Sequence, residues 1–113
     1  MISTIVLKLE NLFNCLNFRK HKIAVPSSCS INGFVRLLSA PGSHIVIADN
    51  IRTSSGWRCN PSGGGTDRVL IKVGAGVSLV IGEGTGISNS SIYCSKEIKI
   101  GANVNIGVNC IIL

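Results

Sequence analysis

Aromatic residues are scarce in this chain. Three Phe, one Trp and one Tyr make up 4% of 113 residues. A core with so few rings must be aliphatic, and the apolar fraction of 45% is large enough to build one. The same scarcity removes the aromatic platforms on which single-stranded nucleic acids stack. Acidic residues are few as well: five Asp and Glu stand against eleven Lys and Arg, for a net charge of +6. Arg19, Lys20 and Lys22 cluster around His21, and the other basic residues are scattered. So short a cluster, without aromatics, does not read as a nucleic-acid surface, and no nucleic-acid partner is expected. Disorder is excluded too, because disordered chains are poor in Ile, Val and Leu.

Paired cysteines are also lacking. Cys15, Cys29, Cys59, Cys94 and Cys110 are widely spaced and odd in number, with no C-x-x-C. That pattern supports neither a zinc site nor a disulfide framework. Reduced, buried thiols in a cytoplasmic protein are expected. No apolar run approaches the length of a membrane span. The first residues carry Lys8 and Glu10 and lack both a basic leader and an A-x-A-like site, so they do not read as a signal peptide.

What is present begins with a helical pattern. Ile2, Ile5, Val6, Leu9, Leu12, Phe13 and Leu16 fall on one helical face. The spacing predicts an amphipathic helix over about residues 3–17, ending before the basic cluster. One reading is a packing or capping helix. The other is attachment to a membrane surface, helped by Arg19 to Lys22. The length suggests one domain. It divides into a helix and basic linker over 1–25 and a repeat region over 26–113.

The repeat is clearest in "EIKIGANVNIGVNCIIL", Glu97 to Leu113. Apolar or cysteine side chains stand at 98, 100, 104, 106, 110 and 112. A step of two returns to the same face of a strand, whereas a step of four must contain a corner. The same rhythm runs through Ile45, Ile47, Ile51, Thr53, Trp57 and Cys59. It returns in Val73, Ala75, Leu79, Ile81, Thr85, Ile87, Ser91 and Tyr93. The exceptions to apolar character, Thr53, Thr85 and Ser91, are all small. Asn50, Gly84, Asn103 and Asn109 stand three residues after the second member of a pair. Asn and Gly tolerate the left-handed backbone a sharp corner needs. Six-residue periodicity of this kind reads as a parallel β-helix, three short strands to a turn. The blocks do not share one frame: an extra residue is expected near 94–97, and "NPSGGGTDR" reads as a loop insertion at about 60–68.

The ordered segments "HIVIADNIRTSSG", "NPSGGGTDR" and "LVIGEGTGISNSSIYCSKEIKIGANVNIGVNCIIL" resemble the hexapeptide-repeat acyltransferases. The likeness covers about residues 32–113. It points to the sugar O-acetyltransferases of the maltose, galactoside and surface-polysaccharide type. The resemblance implies an all-β fold, a left-handed parallel β-helix with a short N-terminal α-helix. It implies a homotrimer, with acetyl-CoA as co-substrate in the cleft between subunits and a sugar or glycan hydroxyl as acceptor. A histidine acts in such enzymes as general base on that hydroxyl, and N–H donors stabilise the oxyanion.

The match is incomplete. The family's catalytic histidine follows the equivalent of "NCIIL" in a stretch such as Asp-x-Asp-x-His, which here would lie beyond Leu113. No catalytic residue is therefore expected within the chain, and none of its residues is assigned to the cofactor. His21 and His44 do not match the catalytic position, and His44 reads as a corner residue. Asn89 lies near an asparagine that contacts acceptor or intermediate in related enzymes; it also reads as an ordinary corner residue. Ser95 corresponds to an acceptor-binding acidic position. Cys110 reads as core packing. "SGGGT" lacks the Gly-Lys-Ser/Thr and the helix of a phosphate loop. The expectation is the N-terminal part of an O-acetyltransferase that does not transfer acetyl groups alone. The alternative is a non-catalytic β-solenoid that binds or assembles.

Overall fold

The computed structural model describes residues 2–33, 35–55 and 68–113. Trp57, Cys59 and all but Arg68 of the expected loop lie outside the described residues. A helix, α1 (Ile2–Lys20), precedes eleven short strands. These are β1 (Ser30–Asn32), β2 (Arg36–Ser39), β3 (His44–Ile47), β4 (Arg52–Ser54), β5 (Leu70–Val73), β6 (Ser78–Ile81), β7 (Gly86–Ser88), β8 (Ser91–Cys94), β9 (Glu97–Ile100), β10 (Asn105–Ile106) and β11 (Ile111–Ile112). The fold is all-β apart from the helix.

The strands form three sheets, ordered β1-β4-β7-β10, β2-β5-β8-β11 and β3-β6-β9. Every pairing is parallel. Successive strands fall in the first, second and third sheet in strict rotation. One circuit of the chain thus contributes one strand to each sheet. No strand pairs with its sequence neighbour, so ladder hydrogen bonds join each circuit to the next.

Register stacks like on like. Leu37, Ile71, Ile92 and Ile112 align in the second sheet, with Val73 over Cys94 beside them. Ile45, Leu79 and Ile98 align in the third, next to Ile47, Ile81 and Ile100. Thr53, Ile87 and Ile106 align in the first. Leu79 and Ile92 are fully buried, and Val73 and Ile81 are nearly so. The corners carry the expected conformations: Asn50, Asn103 and Asn109 have φ near 60° and Gly84 has φ 75°. Corners also bond to one another, Asn103 N–H donating to Glu83 O at 2.7 Å and Asn109 N–H to Asn89 O at 2.8 Å. Inward hydroxyls close the remaining polar groups. Thr85 Oγ1 donates to Gly101 O at 3.0 Å, and Ser90 Oγ donates to Gly107 O while accepting from Cys110 N–H.

Five expectations are corrected. The extra residue lies at the β7–β8 corner, around Asn89 and Ser90, and not near 94–97. Ile71 pairs with Ile92 and Val73 with Cys94, so Tyr93 points outward where it was expected inside. A one-residue slip would exchange the two faces of the strand, and burial of Ile92 decides between them. Ala75 is exposed in the turn after β5, because Ile71 and Val73 are the inward pair of that strand. Val104 is exposed just before β10, the last strand of the first sheet among the described residues. Of the described thiols Cys94 is buried and Cys29 and Cys110 are half-buried, but Cys15 is exposed, because it lies off the packed face of α1.

That helix departs furthest from its pattern. It runs past the predicted end into the basic cluster, where Arg19 and Lys20 sit in the last turn and favour the helix dipole. Its packed face is polar. Asn14 is 4% exposed; its Nδ2 donates to Gly33 O at 2.7 Å and its Oδ1 accepts from Val35 N–H at 3.3 Å. Asn17 Nδ2 donates to Val35 O at 3.1 Å. These bonds satisfy backbone groups at the open end of the first circuit, the edge that a stack of parallel strands otherwise leaves unpaired. The helix caps the strands, but Leu9, Leu12 and Leu16 face away from them.

Three substitutions, each followed by urea unfolding, test the stacking and the cap. A Cβ on Gly82 would lie 2.5 Å from the Gly101 carbonyl of the next circuit, whereas one on Gly101 meets nothing within 4 Å. Gly82→Ala is expected to cost about 1–3 kcal/mol as overpacking. Gly101→Ala should stay within about 0.5 kcal/mol of the parent. Asn14→Leu leaves the Gly33 carbonyl and the Val35 N–H without partners and should cost roughly 2–4 kcal/mol.

Candidate functional site

The end of α1 shapes a cationic concavity. Lys22 adopts φ 58°, the left-handed conformation that closes a helix. Ile23 N–H donates to Phe18 O at 2.9 Å and Lys22 N–H to Arg19 O at 3.0 Å. This is a Schellman closure, with buried Ile23 packing near buried Phe18 as that motif prefers. The reversal sets Lys20, His21 and Lys22 against the turn between β2 and β3. Between them lies a groove of about 610 Å³, lined by those three residues and by Ser39, Ser43 and His44 among others.

The structure thus brings together both histidines of the chain, which lie far apart in sequence. His21 Nδ1 shares a hydrogen bond of 2.5 Å with Ser39 Oγ, and both residues are half-buried. Lys20, Lys22 and His44 are exposed. No acidic residue is among those lining the groove. The ensemble offers two ammonium groups, two imidazoles and hydroxyl donors, which is the chemistry of an anion site. A serine and a histidine in contact are also two parts of a nucleophilic centre, but among the described residues no carboxylate orients the ring. The bond serves to hold α1 to β2. Sequence spacing gave no sign of this group, because His21 and Ser39 meet only through the reversal at Lys22.

The two sequence-predicted site residues lie elsewhere, at different corners. Asn89 stands between β7 and β8 and is only 1% exposed; its carbonyl accepts the Asn109 bond described above. Ser95 is exposed in the corner between β8 and β9. Neither lines the groove beside α1.

A second concavity, of about 410 Å³, lies along the outer side of the first sheet. Asn32, Ser54 and Ser88 align across β1, β4 and β7, and Arg52, Gly86 and Asn105 align beside them. Rungs in such a ladder repeat about every 4.8 Å. The row presents amides, hydroxyls and one guanidinium, groups that bond neutral hydroxyls well. Among the described residues no His, Cys, Asp and Glu cluster could hold a metal. No helix there is long and apolar enough to cross a membrane.

The closure at Lys22 is testable. A non-glycine residue in the left-handed region is strained, so Lys22→Gly should raise stability by about 1 kcal/mol in urea unfolding, while Lys22→Val should lower it. Comparison with family models, with curated proteins and with solved structures finds no match for this chain.

Proposed function

We propose that this chain is a left-handed parallel β-helix of the hexapeptide-repeat type. On this reading it forms scaffold and acceptor surface of an acetyl-CoA-dependent O-acetyltransferase acting on a sugar or surface-polysaccharide hydroxyl. The observation that carries the proposal is the strict rotation of short parallel strands through three sheets, with the hexad positions Leu79, Ile81, Ile87, Ile98, Ile100 and Ile106 stacked inward. The polar row of Asn32, Ser54, Ser88, Arg52 and Asn105 supports a hydroxyl-rich acceptor. Acetyl-CoA fits a cytoplasmic setting, and a homotrimer would supply the cleft between subunits. The general base is not assigned to His21, whose ring is engaged with Ser39, or to His44, which lines the groove beside α1 and not the polar row. That same observation favours the second reading, a non-catalytic binding or assembly module.

One set of measurements separates the two. The purified chain is titrated with acetyl-CoA by calorimetry, its mass in solution is taken by sedimentation, and thiol release is followed with a panel of sugars and polysaccharides. A trimer that binds acetyl-CoA without turnover is the expected result. A monomer without affinity for acetyl-CoA overturns the transferase reading and leaves the module. Turnover by the chain alone overturns the assignment of no base within it.

A further inference from the structure

The helix α1 has its two faces reversed relative to an ordinary surface helix. Asn14 and Phe18 are buried against the strands, while Leu9, Leu12 and Leu16 are 56%, 57% and 54% exposed. At 3.6 residues per turn these leucines form one stripe, roughly opposite the buried face. A soluble helix normally turns such a stripe inward. Here hydrogen bonds from Asn14 and Asn17 fix the opposite orientation.

Charge says what suits the stripe. Arg19 and Lys20 end the helix along its exposed side, Lys22 follows in the closure, and all three are exposed. The groove beside them adds His21 and His44 and contains no acidic lining residue. No carboxylate among the described residues pairs with Lys20 or Lys22; the ion pair Lys99–Glu97 lies on β9. An apolar stripe ending in unneutralised cations matches one environment: apolar depth beneath a layer of negative charge.

We propose that α1 attaches the protein peripherally to an anionic bilayer. Leu9, Leu12 and Leu16 enter the boundary between headgroups and acyl chains. Lys20, Lys22 and the groove behind them receive headgroup phosphates. The strands stand off the surface, joined to the helix by Asn14 and Asn17. The helix lies on the membrane and does not cross it. The inference does not depend on acetyl transfer.

Flotation of the full chain with vesicles tests it, using phosphatidylcholine alone and phosphatidylcholine mixed with phosphatidylglycerol. Binding is expected to the mixed vesicles and to weaken as salt is raised. Leu12→Gln with Leu16→Gln should lower the partition coefficient by about ten-fold or more. Lys20→Gln with Lys22→Gln should lower it independently and flatten the salt dependence. Circular dichroism should be unchanged in both variants and the thermal midpoint unchanged in the leucine variant, because all four side chains are exposed; the lysine variant should lose only the small dipole contribution of Lys20. Absence of binding to the mixed vesicles overturns the proposal. So does binding that both pairs of substitutions leave intact. If instead the leucine variant converts an oligomer to a monomer and vesicles bind neither form, the stripe is an interface between copies, and the membrane assignment fails.

Discussion

The structure depends on one constraint: a parallel strand cannot find its partner nearby in sequence. Two parallel strands need a crossover of a dozen or more residues. Here the chain meets that need with two further strands, so Ser78 pairs with Glu97 and Leu70 with Ser91. Each strand has only two to four residues and would be unstable alone. Its stability comes from the circuits on either side. Register then becomes a shared property, since Ile81 must stack between Ile47 and Ile100. The close approach of Gly82 to the Gly101 carbonyl is the geometric limit of that stacking. The same requirement explains the small inward hydroxyls. A corner leaves carbonyls without ladder partners, and Thr85 and Ser90 reach the carbonyls of Gly101 and Gly107 in the next circuit.

A stack of this kind has ends, and the first end sets the orientation of α1. The backbone at Gly33 and Val35 faces out of the first circuit, and among the described residues no strand precedes β1. Leucines cannot satisfy N–H and C=O groups; asparagine amides can donate and accept at once. Asn14 does both, and Asn17 adds a donor. Hydrogen-bonding demand at a sheet end therefore outweighs the apolar pattern of the helix, with Phe18 and Ile23 supplying the apolar part of the joint. Leaving Leu9, Leu12 and Leu16 in contact with water is the consequence.

The repeat was largely legible because its signals are local. Asn50, Gly84, Asn103 and Asn109 announce corners by residue type alone, and all four adopt the left-handed backbone. The aliphatic pairs of β6 and β9 follow from spacing. The frame was not legible where two residue choices competed: Ser91 and Tyr93 continue the hexad count, but Ile92 and Cys94 fill the core. Spacing counts positions, whereas burial selects the larger aliphatic side chain. The helix closure was hidden for a related reason. Lys22 stands where glycine is usual, so the sequence carries no stop signal, and the helix ends where Ile23 can pack beside Phe18. Nothing in the spacing of His21 and Ser39 foretells their contact, which exists only because that closure turns the chain back onto β2. Asn89 was legible as a corner, but its burial was not, because burial depends on the extra residue at that corner.

The molecule's surfaces differ in chemistry. The outer side of the first sheet is neutral and hydrogen-bonding, drawn from Asn32, Ser54, Ser88 and Asn105, with Arg52 as its one cation. The end of the stack near α1 is cationic and apolar. A hydroxyl-rich polymer suits the first and not the second, since exposed leucines gain nothing from sugar hydroxyls. An anionic layer over an apolar interior suits the second and not the first. The strands join the two, because each circuit is bonded to the next through parallel ladders. A protein held at a membrane by α1 would therefore present its polar row at a fixed angle and distance from the lipid. The asparagines that turn the leucines outward thus also set where that row stands.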